Sequence, residues 1–464
     1  MSPRPPWGEP VPANRWDLVQ GQDAPVRTVG VVVLHYRQQR ELERTLHALA
    51  RQDYPAHAVD VVVTDDGTQP PPSVPDGVGL VTQEDLGFRA SAARNAGARR
   101  ARGDVLVFLD ADCAPEPSFL RTITRLPRLL PEAVVVGRRR HADLATVPVD
   151  APVETGGPEH ELTEPAWLRE AYAGSGDLLH ADALSFRHVI SAAVACSRWW
   201  FDHVGGFDEG FTAYGGEDWE WAARAWEAGG LLAHAPDATV WHDGPDAGVE
   251  PRTWGAEGTG HAKDLESLAV AARVGVPGVT TRALDLGADD VVVTVSPGFD
   301  LAALVIALDP LLQAAPTARL LLGDAHAALL PDERRVRPRP DGDGDEVPDA
   351  ALLDTAGRYR RHVHLHAPAH ATPATWHRLL SDVDRADAPA RITVEDLGRP
   401  LLEVRSMRAL RRASLWDQPD LAAAQPLSAA AMDITPTGSG VAGLLLRAGL
   451  AGVDGPPRSR GQNA

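Results

Sequence analysis

The chain has 464 residues, of which 44% are hydrophobic and 23% charged. This composition is typical of globular proteins rather than of disordered or collagen-like ones. The formal net charge of −19 argues against nucleic acid or an anionic membrane as the main ligand, because both repel an acidic surface. The length indicates two or three domains.

The termini and the apolar segments indicate a soluble protein. Residues 1–25 are rich in proline and polar groups and are predicted to be a disordered lead-in, and residues 421–464 a helical or disordered tail. No stretch approaches the ~20 apolar residues of a membrane span, and the amino terminus lacks the apolar core of a signal peptide. We therefore expect a cytoplasmic protein without a transmembrane segment. Cys113 and Cys196 lie in predicted core segments and are expected to be buried and reduced.

Strands and helices alternate through residues 26–270, the first predicted domain. Residues 30–34, 59–64 and 105–109 are predicted to be buried strands, and residues 90–102 a helix. Such alternation implies right-handed βαβ units and a mainly parallel sheet. Ligands of these sheets bind beyond the carboxyl ends of the strands.

Two acidic clusters follow predicted strands directly. Asp65 and Asp66 come after the second strand, and Asp110 and Asp112 after the third. We expect both clusters to line one crevice, because the carboxyl ends of parallel strands share one edge of the sheet. Carboxylate oxygens suit Mn²⁺ or Mg²⁺, and such an ion would neutralise a diphosphate leaving group. The alternative interpretation of Asp110 and Asp112 is a solvated acidic turn.

Three further residues belong to the predicted site. Glu217 and Asp218 open a predicted helix, where Asp218, kept ionised by the helix end, would accept a proton from a hydroxyl. Acidic residues at a helix start are otherwise partners of the helix dipole. His242 follows a short apolar run and would be a third ligand beside two carboxylates, the alternative being a packing histidine.

Arg94 is the arginine of the 90–102 helix that we expect at the site. A planar guanidinium holds diphosphate oxygens in a bidentate fork. The neighbouring Arg99, Arg100 and Arg102 are predicted to be solvated.

Six stretches in order resemble family 2 glycosyltransferases, in the subgroup with a galactosyltransferase-like carboxyl module in the catalytic domain. They are VVVLHY, VVVTDDGT, LGFRASAARNAG, VLVFLDADCAPEP, VGGFDEGFTAYGGEDWEWAARAWEAGG and VWH, which together span about residues 29–243. The resemblance implies a GT-A fold, which is a Rossmann-like α/β domain, and an inverting single displacement. Residues 34–37 depart from the family's frequent Pro-x-Tyr-Asn, and residues 195–197 from its common Asn-x-Ser.

The resemblance also implies roles for individual residues. Tyr36, Asp65 and Asp66 would contact the base and ribose of the nucleotide. Asp110 and Asp112 would be the metal-binding DXD pair, with Asp110 also at the nucleotide and His242 as a further ligand. Asp218 would be the catalytic base, and Glu217 would position the acceptor.

A second strand and helix alternation covers residues 285–420. At a constant offset of 259 residues its opening matches that of the first, which suggests an internal duplication, although any two βαβ units share this rhythm. The second alternation has no equivalent of the Asp110 and Asp112 pair. We therefore predict a second, noncatalytic α/β domain that binds the acceptor or a partner chain.

These observations predict a divalent-metal-dependent, inverting glycosyltransferase. The donor would be a nucleotide-sugar, with UDP as the expected nucleotide, and the acceptor a hydroxyl of a glycan, a glycolipid or a small molecule. One alternative is a noncatalytic scaffold with a GT-A shell. Another is a sugar-phosphate nucleotidyltransferase, for which we would expect a glycine-rich phosphate loop near the amino terminus.

Overall fold

The computed structural model describes residues 4–213, 215–245, 268–274, 290–339, 352–353, 359–384, 390–422 and 424–436. Most of the predicted boundary between the two units, at residues 265–285, lies outside these ranges. Among the described helices, none has both the length and the apolar composition that crossing a membrane requires.

The first unit is built on a nine-stranded mixed sheet, in the order β3-β2-β1-β4-β8-β6-β9-β5, with β7 paired to β6. Its strands are β1 Val29–His35, β2 Val59–Asp65, β3 Gly79–Thr82, β4 Val105–Asp110, β5 Cys113–Pro115, β6 Ala133–Ala142, β7 Glu161–Leu162, β8 Ala193–Ser197 and β9 Leu231–Asp243. Strands β3, β2, β1 and β4 are parallel, and β8 is antiparallel to β4. This is the GT-A arrangement expected from the sequence.

Helices cover both faces of this sheet. They are α1 Gln39–Leu49, α2 Ala90–Arg100, α3 Phe119–Ile123, α4 Arg125–Leu129, α5 Val153–Glu159, α6 Ala166–Ser175, α7 Arg198–Val204 and α8 Glu217–Glu227. One apolar core joins the sheet to α2, α6 and α8, and a second joins it to α1, α3 and α4. The continuous valine runs of β1 are buried on both faces, as a central parallel strand requires.

Gly97 sets how closely α2 approaches the sheet. A Cβ atom at this position would lie 2.3 Å from Cγ1 of Val32 on β1 and 2.6 Å from Cγ2 of Thr64 on β2. The helix therefore packs against two strands at a distance that only glycine permits, and this fixes the position of Arg94 on the same helix.

The amino-terminal segment corrects the prediction of a disordered lead-in. Val11 is buried, and the Asn14 side chain donates to the carbonyls of Leu178 and Leu232 and accepts from the amide of Leu232. Asn14 thereby satisfies polar backbone groups of distant segments, which holds residues 4–25 on the domain. Both cysteines are buried and free, as predicted.

The second unit contains a seven-stranded sheet and a two-stranded one. Its strands are β10 Val291–Val295, β11 Arg319–Leu322, β12 Val336–Pro338, β13 Arg361–Leu365, β14 Ala369–His370, β15 Arg391–Asp396, β16 Arg399–Ser406, β17 Ala424–Ser428 and β18 Thr435–Pro436. Its helices are Leu301–Ala314, Asp324–Ala327, Pro373–Asp382 and Met407–Trp416. Because β17 pairs with β15, residues 424–428 belong to the sheet, which corrects the predicted tail from residue 421. Residues 437–464 lie outside the described part.

The larger sheet of the second unit, β12-β11-β10-β13-β16-β15-β17, opens with the strand order of the first unit. Strands β12, β11, β10 and β13 are parallel, and β16 is antiparallel to β13. The same directions hold for β3, β2, β1, β4 and β8. This repeated topology agrees with the duplication suggested by the sequence offset.

A cluster of arginines joins the two units. Arg412 of the second unit donates to Glu132 over 2.8 Å, and both side chains are at most 2% exposed. Arg411 donates to the carbonyl of Glu227, the last residue of α8, and Arg412 also donates to that of Gly229, two residues beyond the helix. The guanidinium of Arg408 lies 3.7 Å from the ring centre of Trp226. The carboxyl end of α8 is thus held by the second unit.

Candidate active site

The two acidic clusters lie on either side of β1. In the parallel register, Leu34 is opposite Asp110 of β4, and His35 is opposite Asp65 of β2. The carboxylates therefore emerge at one edge of the sheet, as the sequence predicted. Each nevertheless has a different environment.

Asp65 shapes the turn after β2. Its Oδ1 atom lies 2.8 Å from Nδ1 of His35, and its Oδ2 atom accepts from the amides of Gly67 and Thr68. Nε2 of His35 accepts from the backbone amide of Gln38, so Nδ1 carries the proton and donates to Asp65. Both side chains are 1% exposed. Both oxygens of Asp65 therefore already bond to protein groups, and its contact with the nucleotide stays a prediction.

Asp66 and Tyr36 lie next to this turn. Asp66 accepts from the Gln83 side chain over 2.5 Å and from the Arg89 amide over 2.8 Å, and burial raises the pKa of its carboxyl. The Tyr36 ring is 39% exposed, and its hydroxyl donates to Asp85. The exposed ring is available for the predicted contact with a base.

Arg94 connects the two ends of the site. One terminal nitrogen donates to Asp110 Oδ1 over 2.8 Å, and the other donates to Glu217 Oε1 over 3.0 Å. Burial lowers the pKa of this guanidinium, but the charges of Asp110 and Glu217 outweigh burial and raise it. Arg94 was expected to bind a diphosphate, whereas here both terminal nitrogens are paired with protein carboxylates. Glu217 is likewise turned toward Arg94, and its buried Oε2 atom has no hydrogen-bond partner among the described residues.

Asp112 and His242 approach each other across the short β5–β9 ladder. Nε2 of His242 lies 3.7 Å from Oδ2 of Asp112, which also accepts from the Gln38 side chain. Nδ1 of His242 donates to the Gly244 carbonyl over 3.1 Å. Because a carbonyl only accepts, this bond places a proton on Nδ1, so in the neutral imidazole the lone pair is on Nε2, the atom nearest Asp112.

The donor set fits a divalent cation that is completed by substrate. Across the described residues, no three His, Cys, Asp or Glu side chains are grouped closely enough to hold a metal ion alone. Asp110 is turned to Arg94, which leaves Asp112 and His242 as the adjacent pair. Mg²⁺ and similar ions are commonly bound by one or two carboxylates together with substrate phosphates, so an incomplete protein cage is compatible with this chemistry.

Asp218 lies in the first turn of α8, beyond two glycines with positive φ, Gly215 and Gly216. Its Oδ2 atom accepts from the Ser191 amide over 3.2 Å, and its Oδ1 atom from the Trp219 amide over 2.8 Å. Burial and the charge of Glu217 nevertheless raise the pKa of Asp218 to about 7. Burial and the adjacent carboxylate thus oppose the two amide donors, so the helix end alone does not set the ionisation of Asp218.

Sequence reasoning missed the residues that orient these groups. His35 and Gln38 hold Asp65 and Asp112, and the Ser191 amide contacts Asp218. His141 lies beside His242, with ring centres 4.8 Å apart. The polar His35 and Gln38 at the end of an apolar strand were a usable signal. Ser191 acts through its backbone, which no residue type reveals.

Two family profiles match the part of the chain that contains the site residues. Residues 30–152 match the profile of Glycosyl transferase family 2, which covers β1 through the acidic pair after β4. Residues 183–240 match the N-terminal domain of galactosyltransferase, which includes Glu217 and Asp218. The first unit is thus similar to glycosyl transferase family 2 over residues 30–152.

Curated relatives match over about half of the chain. The validoxylamine A glucosyltransferase of Streptomyces hygroscopicus subsp. limoneus is 32% identical over 242 residues, covering 47% of this chain and 51% of the relative. The hyaluronan synthase of Pasteurella multocida is 28% identical, covering 47% of this chain and 24% of the relative. The chain thus spans about half of the length of the first relative and about a quarter of that of the second.

A similar solved structure is that of GalNAc-T7 with UDP, GalNAc and Mn²⁺. It is 18% identical to this chain, with a TM-score of 0.36, and the match covers 49% of this chain and 45% of that protein.

Proposed function

We propose that this protein is an inverting, divalent-metal-dependent glycosyltransferase that moves a sugar from a nucleotide-sugar to a hydroxyl acceptor. The observation that carries the proposal is the pair of ion pairs made by Arg94, which joins Asp110 of the DXD pair to Glu217. Asp218, the predicted base, is the next residue. Arg94 thereby fixes the position of the proposed base relative to Asp110, which lies on the side of the site that would bind the nucleotide-sugar. A reaction between two bound substrates requires such fixed relative positions.

Asp112 and His242 are the residues that would hold Mn²⁺ or Mg²⁺, with Asp110 beside them. When bound, the ion neutralises charge on the diphosphate of the donor. The Gly244 carbonyl fixes the tautomer of His242, and the side-chain amide of Gln38 fixes the orientation of the Asp112 carboxylate. Both orienting bonds are made by groups of the protein itself, and they limit the orientations that the two side chains can take.

Asp218 is the proposed general base. In the proposed step, its carboxylate takes the proton of the acceptor hydroxyl, and that oxygen forms a bond to the anomeric carbon. The bond from the anomeric carbon to the diphosphate breaks, and the nucleoside diphosphate leaves with the electron pair. A pKa of about 7 suits this role, because a base is most effective when its pKa lies near the working pH.

The nucleotide would lie near Tyr36 and Asp66. The exposed Tyr36 ring offers a stacking surface, and Asp66 would contact the base or ribose by exchanging the Gln83 donor for a nucleotide donor. Asp65 supports this contact indirectly, because it folds the turn that carries Asp66. UDP is the expected nucleotide from the family resemblance, and the acceptor is a glycan, glycolipid or small molecule.

The experiment that tests the proposal is a nucleotide-binding and turnover panel. UDP, GDP and their sugars are titrated by calorimetry with and without Mn²⁺, and release of nucleotide from each sugar donor is followed over time. Wild type is compared with Asp112→Ala and with Asp150→Ala, an exposed aspartate away from the site. We expect Mn²⁺-dependent binding and release for one nucleotide class, lost in Asp112→Ala and retained in Asp150→Ala.

Two results would contradict the proposal. If wild type binds no nucleotide under any condition, the enzyme is ruled out and the noncatalytic scaffold is favoured. If binding is equal with and without Mn²⁺ and survives in Asp112→Ala, the metal-dependent mechanism is wrong.

A further inference from the structure

A small pocket lies on the same face of the sheet as α2 and α8. It has a volume of about 210 Å³ and is enclosed by β6, β9, α6 and the segment before β8. Its walls are mainly apolar, formed by Val136, Leu168, Tyr172, Ile190, Ala192 and His234. Pockets for drug-sized ligands are roughly 300–1,000 Å³, so this pocket suits a smaller ligand, of about one six-membered ring.

The pocket shares a wall with the predicted catalytic groups. Ile190 and Ala192 line it, and Ser191 between them donates its amide to Asp218 over 3.2 Å. The carbonyl of Ala192 accepts from the amide of Asp110 over 3.3 Å. One short segment therefore contacts the pocket, the predicted base and the DXD pair.

His234 gives the pocket an unused hydrogen-bond acceptor. Its ring stacks on Tyr172, with centres 3.7 Å apart and planes 4° apart, and its Nδ1 atom donates to Asp177 over 2.8 Å. The residue is 7% exposed, and within the described ranges its buried Nε2 atom has no partner. Burial lowers the pKa of this imidazole, so Nε2 carries a lone pair. A buried acceptor without a partner costs free energy, and a ligand hydroxyl would satisfy it.

The rim is charged with both signs. Arg138 and Arg169 stand beside Glu164 and Asp177 at the pocket, and Arg138 pairs with Glu164 over 2.9 Å. Mixed charges around an apolar floor suit a neutral ligand that is rich in hydroxyls, because they offer both donors and acceptors. A strongly charged ligand would be repelled by the rim side chains that carry the same charge.

We propose that this pocket is the acceptor subsite, and that it takes one six-membered polyol ring, a hexose or a cyclitol, with a hydroxyl bonded to Nε2 of His234. The proposal rests on the glycosyltransferase function, because it treats Asp218 as the base for a second hydroxyl of the same ring. The ring could be free or the end of a glycan.

The test uses the full chain with glucose, myo-inositol and maltotriose as probes, so that a free sugar, a free cyclitol and a glycan end are distinguished. Ala173→Trp narrows the pocket from an exposed position on α6, and the control Ala166→Trp changes an exposed alanine of the same helix that does not line it. His234→Phe keeps a ring against Tyr172 and removes Nε2. Acceptor KM is measured from nucleotide release, and probe binding by saturation-transfer NMR.

We expect at least one probe to bind wild type and to accelerate release. Its KM should rise about tenfold in His234→Phe, the size of one lost hydrogen bond to a buried group, and at least as much in Ala173→Trp. In Ala166→Trp we expect a KM within about twofold of wild type, a change within the range of a neutral surface substitution. Nucleotide affinity should be equal in the two tryptophan variants.

Equal KM values in Ala173→Trp and Ala166→Trp would overturn the proposal, as would the failure of every probe to bind a wild type that releases nucleotide. A wild type without nucleotide binding or release contradicts the proposed function instead. In that case NMR still separates the two ideas, since loss of probe binding in Ala173→Trp alone supports the pocket.

Discussion

Nε2 of His242 lies 3.7 Å from Oδ2 of Asp112, and the bond from Nδ1 to the Gly244 carbonyl leaves the lone pair of the neutral imidazole on this Nε2 atom. This pair is the part of the site best prepared for a divalent cation. The first prediction follows from it.

Removing either member should weaken metal-dependent nucleotide binding. For Asp112→Asn and His242→Ala we expect the Mn²⁺ concentration for half-maximal binding to rise by about 100-fold or more, because groups that merely orient ligands already contribute about 10- to 100-fold. Calorimetry with a fixed nucleotide measures this. Asp150→Asn is the control, and an unchanged Mn²⁺ requirement in both site variants would exclude them as ligands.

The raised pKa of Asp218 predicts two opposite pH dependences. Transfer should accelerate as pH rises through about 7, because a general base acts when deprotonated. Stability should change in the opposite direction. The pKa of Asp218 is higher in the folded protein than in the unfolded chain, where it is near 4, so this carboxyl stabilises the fold at low pH. The stabilisation is fully present below about pH 4 and is lost as the pH rises to about 7.

The variant Asp218→Asn separates these effects. Its activity should be low and its rate should lose the rise near pH 7, while its stability should change less between pH 4 and pH 7 than that of wild type. Initial rates and urea unfolding at each pH measure the two. A rate profile in Asp218→Asn that is parallel to wild type would assign the titration to another group.

Arg94→Met should destabilise the protein by about 3–5 kcal/mol, the usual cost of breaking a buried ion pair, because it leaves the buried Glu217 without its cation. Asp110 and Glu217 would both lose their cation. Arg94→Lys should recover only part of the lost stability, because an ammonium group lacks the forked guanidinium that reaches two carboxylates. Urea unfolding is the measurement. Arg99→Met, on the exposed side of α2, is the control and should stay within about 0.5 kcal/mol.

Gly97→Ala should also destabilise, by about 1–3 kcal/mol, because the added methyl group would overlap Val32 and Thr64. The matched control is Gly174→Ala in α6, where a Cβ atom meets nothing within 4 Å. That change should be neutral or stabilising, by up to about 1 kcal/mol, through loss of unfolded-state entropy. Equal midpoints of thermal unfolding in the two variants would contradict the packing described for α2.

The ion pair between the units offers a fifth test. Arg412→Met should cost about 3–5 kcal/mol, because Glu132 is 0% exposed and would stay buried without a cation. The double variant Glu132→Gln and Arg412→Met should lose less stability than the two single variants lose in sum. Arg4→Met is the control: its pair with Asp417 is largely exposed, and such pairs contribute at most about 1 kcal/mol.

The strands of the first unit could be predicted because they are central. Val31, Val32 and Val33 are all buried, and a continuous β-branched run is what such a strand needs. The acidic pairs could be placed for the same reason, since they end these strands. The resemblance then supplied the family, which residues 30–152 confirm.

The parts that could not be predicted depend on long-range contacts. The packing of Asn14 against Leu178 and Leu232 leaves no trace in local periodicity. The pKa of Asp218 depends on how deeply distant segments bury it, and the partners of Arg94 depend on how α2 faces α8. Hydrophobic pattern fixes elements, whereas the final hydrogen-bond partners arise only when the elements meet.

Arg412 donates to the carbonyl of Val11, across 401 residues of chain. Because protein synthesis proceeds from the amino terminus, Val11 leaves the ribosome long before its partner exists. The first sheet can form during synthesis, since domains generally fold as units in that order. The hydrogen bond of Val11, however, forms only after residue 412 has been made, so this part of the amino-terminal segment is secured later than the part that Asn14 holds on the first unit.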